Sequence, residues 1–495
     1  MESNYDVIIA GASNSGGMAA CAAAEKGAKV LLIDKMGDSK YLYRSSIAAV
    51  NSNAQKKAGI KIDKAKLINF LTLFAQSNVD QRLLWKWVNN SAETVNWLED
   101  NILKPNGGHI MAQPDAGYET LINTAFPVEN VIANADDTDW AHYGSWVINK
   151  AQELGVTLQY NTKLEDLITD DEGKVIGIVA SDRQSGQKTK YYANKGVIIC
   201  TGGYGGNKSL MAKWNPFGLK KNVYSDGPRD DGSGILAGLR VGAARDEEPA
   251  ETIFDRGGVK VGTNAEDHYV VDYRGFGYFW LGSYPFLKVN LQGERFGNES
   301  EPYQFDINSA AKQPGYLEAV IWNEEIMNHL EQFHTLGCSR LNWPGIYDTE
   351  GAKAEVQRRL DDGTAQKADS IEKLAAKLQL PERNLVRSVE RYNQLCQNKE
   401  DSDFGKEPYR MFPIEKGPYY GIILGGRLLA TLDGLRINTN MQVIDKKGNA
   451  IPHLYAAGNA SGGFFWGSYP DRVPGLACSR AQTFGRLAGK NAADN

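Results

Sequence analysis

The chain has 495 residues, enough for about two to four domains and a sizeable core. With 42% apolar and 23% charged residues and a net charge of −5, the composition excludes a disordered chain, and the scattered Lys and Arg leave no electrostatic footprint for nucleic acid. Its 52 glycines against 17 prolines, without a three-residue period, exclude collagen and low-complexity readings and point to tight turns and close backbone approach to a ligand.

Residues 5–10 form a short apolar run rich in β-branched side chains, which predicts a strand buried on both faces of a parallel sheet. A glycine turn over 11–17, an Ala-rich helix over 18–26, a stop at Gly27 and a second buried strand over 29–33 follow, making a βαβ unit that ends in Asp34-Lys35. Further on, the pattern predicts a helix over 145–154 and strands over 157–160, 175–181 and 195–200, the last closing on Thr201-Gly-Gly-Tyr-Gly-Gly206. From about residue 246 the texture turns aromatic and irregular, with a dense run at 275–286, and then charged and helical between 324 and 399. Residues 246–411 are therefore read as an inserted capping domain that divides a first domain into 1–245 and 412–495. Strands over 435–438, 442–445 and 453–457 and a closing helix over 475–493 complete that first domain. The expected class is α/β, a Rossmann-like dinucleotide-binding domain with an inserted α+β capping domain.

Cys21, Cys200, Cys338, Cys396 and Cys478 lie far apart, without a CxxC pair or metal-ligand spacing, so a reduced chain with no metal site is expected. The first strand pattern begins within five residues of Met1, and no apolar run approaches the roughly 18 to 20 residues of a bilayer span. A cytoplasmic protein without membrane insertion is expected.

The turn Gly11-Ala-Ser-Asn-Ser-Gly16 presents helix amides to a pyrophosphate, and Asp34 at the end of the second strand suits a ribose hydroxyl or, more plainly, a solvated helix cap. Ser13 takes the second glycine position of GxGxxG, where it is small and brings a hydroxyl donor. Nicotinamide and flavin enzymes share this opening.

The remaining motifs choose between them. Tyr455-Ala-Ala-Gly-Asn459, Thr483-Phe-Gly-Arg-Leu-Ala-Gly489 and Thr201-Gly-Gly-Tyr204 resemble the flavoproteins of the fumarate reductase and 3-ketosteroid dehydrogenase superfamily, over nearly the whole chain. The resemblance implies FAD extended across the first domain, contacted by Gly11, Ser13, Asn14, Ser15, Gly16, Asp34, Lys35, Ser45, Ser46, Leu164, Thr201, Gly202, Gly203, Asp231, Gly458, Asn459, Leu476 and Ala477. It also implies a cap closing over the isoalloxazine, and a closing helix whose positive N-terminus and Leu476 and Ala477 amides face the flavin O2 and N1 edge. Ser46 stands where membrane-bound relatives carry a flavin-linking histidine, which implies non-covalent FAD.

Arg472 falls on that family's carboxylate-binding arginine, but Leu429 and Ala430 stand at its histidine and Met327 near its proton-delivering arginine, so a small dianion would be poorly neutralised. Asn298-Glu-Ser-Glu-Pro-Tyr303 and Gly467-Ser-Tyr469 instead look like ketosteroid dehydrogenase motifs. There the first tyrosine exchanges a proton with substrate carbon, and the second, with a nearby backbone N–H, holds the ketone oxygen. Hydride exchange with an enone needs such a donor at the carbonyl and an acid for the α-carbon, and tyrosine, with pKa about 10, serves both tasks. Tyr303 and Tyr469 read equally as hydrogen-bonded core residues, and Arg472 as a bridge between domains. Gly475, Phe279, Trp280 and Trp466 join the expected substrate side, the aromatic rings reading either as core or as walls for a flat apolar ligand.

The expected function is an FAD-dependent oxidoreductase acting on a C=C or CH–CH bond conjugated to a carbonyl, with a small apolar enone or an unsaturated acid as substrate and electrons from an external donor or redox partner. A flavin-binding electron carrier that has lost the chemistry is the third reading.

Overall fold

The computed structural model describes residues 3–37, 46–113, 126–134, 143–272, 276–333, 339 and 348–495. Its first sheet grows from the opening βαβ unit. The strand Ser3–Ala10 lies in parallel register between Val30–Ile33 and Lys188–Ile199, with Ile8 opposite Leu31 and Val197. Ala450–Ala456 and Thr157–Gln159 extend the parallel array, and three antiparallel strands, Gln442–Ile444, Val175–Asp182 and Thr162–Thr169, complete an eight-stranded sheet. Val7, Ile8, Ile9, Leu31 and Leu32 are fully buried, which is why these strands read as unbroken apolar runs.

Helices Asn14–Glu25 and Leu476–Ala493 pack against this sheet and against each other. A Cβ at Gly485 or Gly489 would overlap the backbone of Ser15 or Ala19, so the glycines of the closing motif set the distance between the two helix backbones. The first helix starts at Asn14 rather than at 18, placing Gly16 and Gly17 inside its first turn. Helix propensity argues against glycine there by about 1 kcal/mol, but a Cβ at Gly16 would overlap the Gly11 carbonyl oxygen, and the tertiary contact prevails.

The second sheet, also eight-stranded, is built around Tyr419–Thr431, which pairs with Asn222–Ser225, Ala250–Val259, Glu318–Asn323 and Ala365–Ala368. Two of these strands fall outside the span 246–411 read as the cap: Asn222–Ser225 precedes it and the central strand follows it. Tyr419–Thr431 is apolar, glycine-rich and buried along most of its length, so its texture matches that of the parallel sheet it does not join. The charged stretch resolves into helices Thr349–Asp361, Ile371–Leu378 and Glu382–Asn398. Residues 435–438 form no strand and pair through isolated bridges, Leu435 with Arg245 and Ser461, and Ile437 with Val443. A third, small sheet of Ser46–Ala48, Glu129–Asn134 and Gly108–Ala112 lies beside the closing helix. Cys21, Cys200, Cys396 and Cys478 are free thiols, and Cys338 lies outside the described residues.

Candidate active site

A cavity of about 490 Å³ opens at the carboxyl ends of the parallel strands, where Ala10, Ile33, Cys200 and Gly458 leave the first sheet, and it extends to Thr252, Phe254, Leu429 and Ala430 of the second. This is where ligands bind in open parallel sheets. Gly11, at φ +99°, could not carry a side chain, because a Cβ would overlap the Cys200 carbonyl oxygen; Gly458, at φ +67°, would meet Ser15 in the same way. The backbone is thus pared down at the helix start, which leaves room there for a phosphate. Ser13 does not cap that helix with its side chain and instead donates its hydroxyl to Cys200 O at 2.8 Å. Asn14 and Ser15 line the same slot, as do Leu164, Thr201, Gly202 and Asn459, and the Thr201 hydroxyl is buried without a hydrogen-bond partner among the described residues.

Asp34 accepts the Ala12 N–H at 2.8 Å through Oδ2 and the Met36 N–H at 2.7 Å through Oδ1, tying the glycine turn to the second strand. Burial raises its pKa and these two amides pull it back. Lys35 pairs with Asp231 at 3.0 Å and donates to Arg229 O. Asp231 faces Lys35 and Lys163 rather than the cavity, and its neighbour Asp230 supplies the lining carboxyl, pushed up to about 6 by burial. Gly16 packs on Gly11 and Gly203 on the Thr431 side chain, so both serve the cradle from behind. These features fit an extended dinucleotide.

At the other end Ser46, Tyr303, Tyr469, Pro474, Gly475 and Ala477 come together. Gly475, at φ +78°, lies so close to the Ser46–Ala48 strand that a Cβ would meet Ala48 N at 2.7 Å, and its carbonyl accepts the Ala48 N–H at 3.1 Å. Tyr303 opens the helix Tyr303–Ala310, with its ring 5.1 Å from that of Phe254. The Tyr469 hydroxyl accepts the Leu476 N–H at 2.9 Å and donates to Val473 O at 3.3 Å. The Leu476 amide expected at the cofactor therefore reaches Tyr469, and Ala477 alone of that pair lines the cavity.

Four expected residues do not join this wall. Phe279 is wholly buried in an aromatic core, 5.6 Å from Trp322, and Trp280 lies under the Arg256 guanidinium at 4.6 Å. Trp466 donates its indole N–H to Glu248. Arg472 is buried and donates to Ser300 O at 3.3 Å. Ser45 lies outside the described residues. Besides Asp230, further acids were not among the expected site residues. Asp471 lines the cavity, and Glu129 receives the Ser46 hydroxyl at 2.5 Å, with burial pushing its carboxyl up to about 7.

A model of the FAD binding domain family matches residues 6–472. Vinyl phenol reductase of Lactiplantibacillus plantarum is 28% identical over 501 residues, covering 99% of this chain and 96% of that protein. Urocanate reductase of Eggerthella lenta is 25% identical over 507 residues, covering 100% of this chain and 75% of that protein. The fold matches a crystal structure of 3-ketosteroid delta1-dehydrogenase from Sterolibacterium denitrificans with a TM-score of 0.76 and 19% identity, over 99% of both chains. With a glycine-lined slot at the carboxyl ends of its parallel strands and a family match over nearly its whole length, the chain belongs to the FAD-binding domain family.

Proposed function

We propose that this FAD-dependent oxidoreductase reduces a C=C bond conjugated to a carbonyl on a flat, apolar substrate, with Tyr303 as the proton donor. The observation that carries this reading is the composition of the cavity around Tyr303 and Tyr469. Phe254, Leu429, Ala430 and Pro474 form its walls, and the cations among the described lining residues, Lys35, Lys163 and Arg229, cluster with Asp230 and Asp231 at the dinucleotide end. A small dianion placed between the tyrosines would lose its hydration without a counter-charge, at a cost of several kcal/mol.

Bound FAD supplies the two-electron chemistry, exchanging a hydride with substrate carbon. Gly11, Asn14 and the first-turn amides would hold its pyrophosphate, and Asp34 a ribose hydroxyl. Ser46, Gly475 and Ala477 would lie against the reacting end. Tyr469 receives the Leu476 N–H at the positive end of the closing helix, which strengthens its hydroxyl as a donor; its 3.3 Å bond to Val473 O is long and readily exchanged for the substrate carbonyl oxygen. That donor holds the charge that develops on oxygen while Tyr303 gives its proton to the α-carbon. The names of two relatives, a vinyl phenol reductase and a urocanate reductase, support reduction as the direction. Electrons come from an external donor or a redox partner.

Arg472→Ala separates the neutral substrate from an unsaturated carboxylate. Turnover of a flat enone by the reduced holoenzyme should fall by less than about tenfold, since Arg472 donates to Ser300 O, lies beside Asp471 and does not line the cavity. A loss of about two to three decades would assign a carboxylate substrate anchored by this arginine.

A further inference from the structure

Gln304 follows Tyr303 in the chain and is 1% exposed, yet it is not among the described residues that line the cavity. Its side-chain oxygen accepts two backbone N–H groups, from Ile253 at 3.2 Å and from Tyr469 at 3.1 Å. Two converging N–H donors call for an oxygen, which fixes the orientation of the amide, and its nitrogen has no hydrogen-bond partner among the described residues. A buried amide left half satisfied costs stability, so an apolar side chain of the same length would fill this space better. What the glutamine supplies is the acceptor for Tyr469.

Side chains four residues apart share a helix face, and Asn308 stands one turn beyond Gln304 on the helix Tyr303–Ala310. Its Nδ2 donates to Ser468 Oγ at 3.1 Å, and its Oδ1 accepts Lys221 Nζ at 2.9 Å. Lys221 is buried and paired at 2.5 Å with Glu251, the strand residue in register with Ser468. The helix that begins at Tyr303 therefore grips Ser468 and Tyr469 in succession. The strand Ala250–Val259 completes the frame, because Ile253 gives its N–H to Gln304 while the neighbouring Phe254 ring lies 5.1 Å from that of Tyr303. Tyr469 is held at both ends, its N–H on Gln304 and its hydroxyl on the Leu476 N–H.

We propose that Gln304, with Asn308 behind it, is a positioning residue that sets Tyr469 in register with Tyr303. The proposal rests on the reading of these tyrosines as carbonyl donor and proton donor. In that reading the two hydroxyls act together on one substrate, at a carbonyl oxygen and at its α-carbon, so their spacing matters as much as their presence. A misplacement of about 1 Å costs on the order of 100-fold in rate. One helix carries the first tyrosine and anchors the backbone of the second, which fixes that spacing.

The test uses the holoenzyme and Gln304→Met, which keeps the length of the side chain and removes the acceptor. Hydrogen exchange of the segment around Tyr469, read by mass spectrometry, should quicken by about fivefold, the scale of one lost hydrogen bond. With benzylideneacetone as oxidant of the reduced protein, kcat should fall about 10- to 100-fold while FAD content is kept. Gln304→Glu, whose carboxyl oxygen accepts the same two N–H groups, should recover most of that loss. In a Tyr469→Phe background Gln304→Met should cost less than about twofold more, whereas in a Tyr303→Phe background its full cost should remain. Asn308→Ala, at a half-buried position, should shift exchange and kcat in the same direction and gives the same reading if Gln304→Met does not fold. Losses that multiply with Tyr469→Phe, or unchanged exchange around Tyr469, would overturn the proposal and leave Gln304 as packing. Quickened exchange in a protein that no conjugated alkene reoxidises would instead overturn the reading of the cavity and leave the hold on Tyr469 standing.

Discussion

Tyr303 and Tyr469 line one cavity but stand on different footings, and phenylalanine at each position tells them apart. Tyr469 carries two buried hydrogen bonds, from the Leu476 N–H and to Val473 O. Tyr469→Phe should therefore lose about 1 to 3 kcal/mol of stability as well as activity, the cost of leaving those groups unpaired, measured as a lower Tm in thermal unfolding. Tyr303→Phe keeps the ring against Phe254, so its Tm and FAD content should match wild type while turnover falls by roughly two to four decades. Equal losses of Tm in both variants would contradict this division. These two tyrosines were legible because short motifs place them, NESEPY and the SY pair. The aromatic residues Phe279, Trp280 and Trp466 were not, since a dense aromatic run has no period to tell a cavity wall from a core, and they pack with Trp322, Arg256 and Glu248. Asp471 was missed for the converse reason: an acid between a proline and an arginine reads as a solvated turn, and only the fold reveals its burial.

At the level of elements, two contacts set the site. The closing helix touches the first helix through Gly485 and Gly489, which meet the backbones of Ser15 and Ala19. Gly485→Val should push the helix away from Ser15 and weaken FAD retention on gel filtration, whereas a change at the distant surface glycine Gly448 should not. The Ser46–Ala48 strand is held from behind by Glu129, whose carboxyl burial pushes up to about 7. A raised carboxyl pKa means that the folded chain keeps a proton the unfolded chain releases, so from about pH 4.5 to 7 stability falls as pH rises, by about 3 kcal/mol in all. Glu129→Gln should remove that slope, giving a Tm that changes less between pH 5 and 8 than in wild type, on the order of the few degrees per kcal/mol usual for folded domains. A variant with the same slope as wild type would show that Glu129 is ionised throughout. The opening βαβ unit was readable in sequence because its strands are apolar on both faces and its turn is punctuated by glycine. The central strand Tyr419–Thr431 shares that texture yet belongs to the second sheet, because burial on both faces marks a strand as interior without saying which sheet it is interior to.

On the scale of the whole molecule, two eight-stranded sheets meet across one cavity, with dinucleotide-binding features on one side and apolar walls on the other. Among the described residues no helix is long and apolar enough to cross a membrane. The Ser46 hydroxyl on the cavity wall is engaged with Glu129, and in the proposed reading it offers no attachment point for a flavin. Acid precipitation should therefore release FAD into the supernatant, and flavin retained in the pellet would contradict non-covalent binding. The most direct test of the central claim is anaerobic mixing of the dithionite-reduced protein with a panel of conjugated and unconjugated alkenes, following the visible absorbance of the flavin and the mass of the product. Conjugated alkenes should restore the oxidised flavin and leave as their saturated counterparts, with unconjugated alkenes inert. A flavin that stays reduced before every conjugated alkene, yet is reoxidised by ferricyanide, would contradict the claim and mark the protein as an electron carrier.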